Sequence, residues 1–256
     1  AINKMSKLHF TAAEEYRQRV IQLGEQPGYV YNVGPMALDA IRKTKLLSKE
    51  ELEASLSFPL KKYNFLITYH SETLLTDKEN MRVLDEMLDA LAFFPEAGLL
   101  FTGANADVCG KKINERIMRY VAKEPQRAAF FRSLGRQRYF SALQYVDLVL
   151  GNSSSGVIEA PFFGKPTVNI GDRQKGRIQS NSVLTCTGKS REIKETISEA
   201  LMGAFQKQCW EERGSLCEGQ TCAERIVGII KWFLNEGTVR KTFYDLYNVG
   251  MKGGRS

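Results

Sequence analysis

Chemistry in this 256-residue chain concentrates in residues 147–177, DLVLGNSSSGVIEAPFFGKPTVNIGDRQKGR. Gly151-Asn152-Ser153-Ser154-Ser155-Gly156 is small and polar, able to turn sharply and bring backbone N–H groups close to a ligand. A serine-rich turn that opens a helix suits an anion, because unpaired N–H groups and the helix dipole both favour negative charge. Glu159 follows within reach of a ribose hydroxyl, and Arg173, Lys175 and Arg177 crowd the loop after the next strand. The plain alternative is a serine-rich surface turn beside a solvated basic loop. Serine turn and basic loop, one crossover apart, favour a nucleotide-diphosphate site. The phosphate loop ending in Gly-Lys-Ser/Thr is absent, and so is a Gly-x-Ser-x-Gly nucleophile elbow, since Ser155 occupies the second glycine's place.

Other candidates sit where strands are expected to end. His70, in Thr68-Tyr69-His70-Ser71-Glu72, supplies an imidazole suited to acid–base work near neutral pH or to a phosphate. Its bland counterpart is a partly buried histidine capping a loop. Asn105 and Asp107 end the next strand, with turn chemistry and ligand contact weighed equally. Ser133-Leu134-Gly135 could receive a base or sugar through its backbone, and Asp39, taken alone, reads as a solvated helix residue.

The elements that must position these groups follow from periodicity and punctuation. Strands are expected at 7–11, 29–33, 65–69, 98–102, 128–131, 148–150, 167–170 and 183–186. Helices are expected at 12–23, 36–43, 48–55 (Ser48 N-cap, Glu51 capping box), 77–94, 110–122, 136–145, 157–163, 192–205, 221–234 and 238–247. This alternation implies an α/β fold with parallel sheets wound on both faces. Three regions are expected: 1–34, the end of an N-terminal Rossmann-like domain; 35–236, the ligand-binding Rossmann-like domain; and 237–256, a C-terminal helix or tail docking on the N-terminal domain. Two strands cannot bury both faces of a parallel sheet, so the first domain is expected to be incomplete.

Composition narrows the class. A 43% hydrophobic content is ample for a core. The net charge of +7 can mean nucleic acid, but it is spread along the chain with no basic run interleaved with aromatics. A basic cleft for an acidic small substrate fits as well; charge alone does not choose, and no nucleic-acid partner is expected from the sequence as a whole. Five cysteines (Cys109, Cys186, Cys209, Cys217, Cys222) include no Cys-x-x-Cys pair, and their odd number points to reduced thiols in a cytoplasmic setting. With only His9 and His70 as imidazoles, and neither near the cysteines, no metal site is expected. No apolar run approaches membrane-spanning length. The start, AINKMSKLHF, reads as the inside of a domain rather than a leader.

The segment GNSSSGVIEAPFFGKPTVNIGDRQKGR, together with KMSKLHF and TYHSETLLTD, resembles the hydrolysing UDP-N-acetylglucosamine 2-epimerases, which have a GT-B-like fold. The resemblance implies that Ser153 and Ser154 hold the uridine diphosphate, with Gly156 in the same cradle and Glu159 on the ribose. It also implies that Arg173 lies beside the phosphates, that His70 is the active-site histidine, that Asn105 binds substrate, and that Asp39 is the aspartate of a Gly-x-x-x-x-Asp motif. Ser133 and Leu134 belong to the same expected binding set. The implied reaction removes the C2 proton with loss of UDP, then adds water to leave a manno-configured sugar, without a cofactor. The family's acidic residues proposed to act on the sugar match no position here, so these residues alone are expected to be inactive. The competing expectations are a GT-B glycosyltransferase and a non-catalytic nucleotide-sugar-binding module. Either UDP-N-acetylglucosamine or a 2,4-diacetamido relative fits as partner, and a homo-oligomer stays open.

Overall fold

The computed structural model describes residues 1–107, 109–213 and 220–246. Contacts divide them into two units, Ala1–Lys43 with the described part of 217–256, and the described part of 44–216. The sequence, by contrast, places these bounds at 34 and 236.

In the first unit, β1 (His9–Thr11) and β2 (Val30–Asn32) pair in parallel, His9 opposite Val30, across the helix Glu14–Gln22. A short helix at Ile2–Met5, which periodicity did not reveal, precedes them. Helices Ala37–Lys43 and Cys222–Glu236 also belong to this unit. Thr221 accepts the Glu224 N–H while the Glu224 carboxylate accepts the Thr221 N–H, a reciprocal cap that fixes where the second of these helices begins.

The expected helix at 238–247 does not form over 238–246, and Tyr247 lies outside the described residues. Tertiary contacts override local propensity there. The Lys241 ammonium donates to the carbonyls of Asn3 and Ser6 and pairs with the buried Glu25 carboxylate at 2.6 Å. The Tyr244 N–H donates to the Gly24 carbonyl at 2.9 Å, and the Phe243 ring fills the space where any Cβ on Gly24 would stand. These contacts hold the segment outside any helix.

The second unit opens with the helix Lys49–Leu56, capped by Ser48 and Glu51 as expected. Six parallel strands follow: β3 (Tyr63–Thr68), β4 (Ala97–Thr102), β5 (Ala128–Phe131), β6 (Leu148–Gly151), β7 (Thr167–Ile170) and β8 (Val183–Cys186). Their order across the sheet is β5-β4-β3-β6-β7-β8. Phe65, Ile67, Leu99, Phe101, Leu148, Leu150 and Ile170 alternate along their strands and are buried together on one face of the sheet. Each contributes on the order of 1.5–3 kcal/mol by leaving water. The Asp77–Leu91 helix meets them with Val83, Leu84, Met87, Leu88 and Leu91, one apolar stripe at spacings of one, three and four.

Two expected helices are broken. Residues 157–163 are an α-helix from Ser154 to Ile158, then a 3₁₀ turn from Ala160 to Phe163. Pro161 has no N–H to give and its ring would collide with the carbonyl four residues back. Residues 192–205 fall into Ser190–Ala200 and Gly203–Glu211, because Met202 adopts extended backbone between them.

The strand order decides where a ligand can enter. The chain runs outward from β3 through β4 to β5, returns to β6 beside β3, and runs outward the other way. Loops leaving the carboxyl ends of β3 and β6 therefore diverge and leave a crevice, the usual binding position in open α/β sheets.

Candidate functional site

That crevice is assembled from four strand ends. Gly151 closes β6 at φ +127°, and a Cβ there would lie 2.0 Å from the Thr68 carbonyl oxygen, so only glycine lets β6 approach β3 this closely. Asn152, wholly buried, follows. Its Oδ1 accepts the His70 N–H and its Nδ2 donates to the His70 carbonyl, each at 2.8 Å. Ser153 is the N-cap of the next helix, its Oγ accepting the Ser155 N–H. Ser155 is hydrogen-bonded to the Tyr139 hydroxyl. With five residues, that helix has a weak dipole, so charge complementarity to an anion falls mainly to arginine.

His70 is 7% exposed, and its Nδ1 accepts the Asn105 N–H at 3.0 Å. An acceptor Nδ1 carries no proton, so the neutral ring bears its hydrogen on Nε2. Burial first, then the Arg173 charge, lower its pKa to about 4, while Asp107 acts weakly the other way. This differs from the acid–base group read from sequence. At neutral pH His70 is a hydrogen-bond donor with no vacant nitrogen to take a proton.

Arg173 is half-buried, with Nη1 donating to the Asn152 carbonyl at 3.1 Å; the Gln174 side-chain amide donates to the same oxygen at 2.7 Å. The loop that carries them bends at Gly171, φ +76°, directly against the Glu72 carboxylate, which accepts the Asp172 and Arg173 N–H groups. Burial and Asp172 raise the Glu72 pKa. Asn80, itself buried, holds the Glu72 backbone at both its N–H and its carbonyl. Lys175 instead pairs with Asp172 at 3.3 Å in solvent.

A cavity of about 320 Å³ opens here, walled by Ser71, Glu72, Thr73, Leu74, Asp107, Ser154, Asp172, Arg173, Gln174 and Arg177. It brings together Ser154 and Arg173, with His70 adjoining Ser71 and close enough to Arg173 and Asp107 for both charges to act on it. Ser153, Gly156, Glu159, Asn105, Ser133 and Leu134 are not in that wall. Gly156 is packed against Thr167 and Val149, and its carbonyl accepts the Thr167 hydroxyl. Ser133 accepts the Gly135 N–H, and the Leu134 carbonyl accepts from Arg138. A larger cavity of about 470 Å³ lies at the opposite ends of β3 and β4, against Tyr63, Phe93, Phe94 and Ala97, and contains none of these groups.

Asp39 belongs to the other unit and is not solvated, as its residue type in a short helix had implied: it is 8% exposed. Its two carboxylate oxygens accept the Cys222 and Ala223 N–H groups, at 3.0 and 2.9 Å, at the start of the Cys222–Glu236 helix. Burial alone would raise its pKa; these bonds outweigh it and leave the pKa lowered. Asp39 caps that helix from a distant segment of the chain. Asp39→Ala is expected to lower stability by about 1–2 kcal/mol, the cost of losing a helix cap. Urea unfolding at neutral pH measures it, and an unchanged midpoint would contradict the capping role.

Sequence reasoning missed Asn152, Glu72 and Gln174. The one available signal was Asn152's place directly after a strand-ending glycine.

Fold and crevice together define an α/β protein of parallel sheets whose ligand would lie across a strand-order switch, faced by serine and arginine. The family model described as UDP-N-acetylglucosamine 2-epimerase matches residues 1–231, and the chain belongs to that family. It is 42% identical over 184 residues to the GDP/UDP-N,N'-diacetylbacillosamine 2-epimerase (hydrolyzing) of Campylobacter jejuni, covering 72% of this chain and 48% of that protein. It is 43% identical over 185 residues to the polysialic acid biosynthesis protein P7 of Escherichia coli, covering 72% and 46%. The chain thus spans about half the length of these relatives. Among solved structures, the S. aureus MnaA–UDP complex superposes with a TM-score of 0.70 at 16% identity, covering 95% of this chain and 65% of that one. The fold is accordingly the GT-B-like α/β architecture of those proteins. Among the described residues no helix is long and apolar enough to cross a membrane.

Proposed function

We propose that this chain forms the nucleotide-diphosphate side of a cytoplasmic enzyme that hydrolytically epimerises a UDP-2-acetamido sugar. Removal of the C2 proton with departure of UDP leaves an unsaturated sugar; water then adds, and the products are UDP and the free manno-configured sugar. The carrying observation is the convergence of Ser154 and Arg173 on one cavity beside a buried, neutral His70.

Arg173 and His70 have tasks that their placement supports. Negative charge grows on the diphosphate as the C1–O bond breaks, and fixed donors aimed at it are the largest source of stabilisation in such a step. Arg173, anchored by the Asn152 carbonyl, supplies charge, and the His70 Nε2–H supplies a neutral donor. Of the serines, Ser154 is the one in the cavity wall; the family resemblance, rather than that wall, assigns Ser153 and Gly156 to the diphosphate, Glu159 to the ribose, Asn105 to binding and the Ser133–Leu134 backbone to the base. His70 does not remove the C2 proton, since the lone pair of its Nδ1 is taken by the Asn105 N–H and its Nε2 already bears the hydrogen. The relative named for polysialic acid biosynthesis supports a place in the supply of sialic-acid-type sugars.

The test supplies the whole protein with UDP-N-acetylglucosamine, or with its 2,4-diacetamido-6-deoxy counterpart, and no acceptor. Free UDP and the manno-configured sugar in equal amounts are expected from one of them. UDP release that requires an added acceptor would make it a glycosyltransferase, and tight binding without turnover a binding module.

A further inference from the structure

Asn152 does not itself line the cavity, yet it ties three of the loops around it together. In a parallel ladder, a residue whose N–H bonds one strand position receives, at its own carbonyl, the N–H two positions further along the neighbour. β3 and β6 follow that pattern up to their ends: the Asn152 N–H donates to the Thr68 carbonyl at 3.1 Å. The next bond would run from the His70 N–H to the Asn152 main-chain carbonyl. It does not. The His70 N–H goes to Asn152 Oδ1 at 2.8 Å, and Nδ2 closes the pair on the His70 carbonyl at 2.8 Å. The main-chain carbonyl, released from the ladder, accepts Arg173 Nη1 at 3.1 Å and Gln174 Nε2 at 2.7 Å.

We propose that Asn152 is a positioning residue: its side-chain amide replaces the last rung of the sheet so that its main-chain carbonyl can hold Arg173 over the cavity. The amide is suited to this substitution because it carries the donor and acceptor of a peptide group. A side chain without it leaves the buried His70 N–H unpaired, and the regular ladder would offer it the Asn152 carbonyl in its place. Drawing that oxygen back to His70 takes it from Arg173 and Gln174. Arg173 orientation and the His70 backbone are thus set by one side chain.

The nucleotide part of the test rests on the function proposed above; the histidine part does not. UDP affinity is measured by calorimetry for the parent chain, Asn152→Ala, Arg173→Ala and the double variant. The expected result is a loss of about 10-fold for Asn152→Ala in the parent background and less than about 2-fold once Arg173 is gone, since groups acting as a unit are not additive. Equal factors in the two backgrounds, or no loss in either, overturn the proposal. The second readout is the His70 imidazole by nitrogen-15 NMR, with His9→Gln to assign the two histidines. Its charged neighbours are Arg173, which lowers the pKa, and Asp107, which raises it. Displacing Arg173 through Asn152→Ala should raise the midpoint by about half a unit or more. An unmoved midpoint overturns the proposal even if UDP affinity falls. Should Asn152→Ala not fold, Asn152→Ser leaves a polar group in the buried slot, is too short to bridge His70, and carries the same comparisons. Failure of the parent to bind UDP would sink the nucleotide reading and leave the His70 midpoint to decide the role of Asn152.

Discussion

His70→Ala in the whole enzyme is expected to lower kcat by about 10²-fold or more, the usual cost of removing one fixed donor from a developing oxyanion. His70→Gln should recover part of the loss, because its terminal amide can place an N–H near the position of the imidazole Nε2. A proton-transferring histidine would give the opposite pattern, with glutamine no better than alanine. Turnover should also show no ionisation from His70 between pH 5 and 8, because burial and Arg173 hold its pKa at about 4. Stability carries the matching signature. Between the unfolded value of 6.5 and about 4, the unfolded chain binds a proton that the folded chain does not. The parent should therefore be most stable above pH 6.5 and lose on the order of 2–3 kcal/mol as pH falls through that window. His9 is also lowered, chiefly by burial, so the informative quantity is the difference between the parent and His70→Gln in urea unfolding at pH 7 and pH 4.5. Parallel pH dependences would contradict the neutral, buried imidazole.

Arg173→Ala is expected to weaken UDP binding by about 10- to 150-fold, corresponding to roughly 1.5–3 kcal/mol for a charge-assisted hydrogen bond. Arg173→Lys should fall between, keeping charge but losing the planar fork that grips phosphate oxygens in pairs. Lys175→Ala provides the contrast: its ammonium is exposed and engaged with Asp172, and losing such a pair should change affinity by less than about 3-fold. The His70 midpoint should rise with Arg173→Ala, since that guanidinium is one of the two influences lowering it. Equal UDP affinities for parent and Arg173→Ala would remove the basis of the nucleotide assignment.

How much of this was legible in the sequence depended on whether a signal was local. Strands Ala128–Phe131, Thr167–Ile170 and Val183–Cys186 fall where apolar runs between turn residues put them. The Ser48 cap is written in four consecutive residues and forms as written. Asp39 was misread because its partners, Cys222 and Ala223, are more than 180 positions away, and a carboxylate in a short polar helix ordinarily faces water. The segment 238–246 was misread for the same reason: its aromatic spacing suits a helix, but Lys241, Phe243 and Tyr244 are held by residues near the start of the chain. Within the crevice, residue types announced Ser154 and Arg173. Nothing in the types revealed that an asparagine would surrender its own carbonyl to an arginine. The pKa of His70 was equally hidden, because burial and a neighbouring guanidinium are properties of the assembled site.

The order β5-β4-β3-β6-β7-β8 also governs when the crevice comes into being. Each half of the sheet grows by successive short-range crossovers, whereas the junction joins His70 to Asn152 across 82 positions. Closing so long a loop costs chain entropy before any contact rewards it, so the junction is expected to form late in folding. The crevice exists in neither half alone. A nucleotide that recognises it lends its binding energy only to the joined sheet, drawing the equilibrium away from half-assembled forms in proportion to its concentration. If the proposed function holds, nucleotide would thus stabilise the sheet as a whole, not only occupy one part of it.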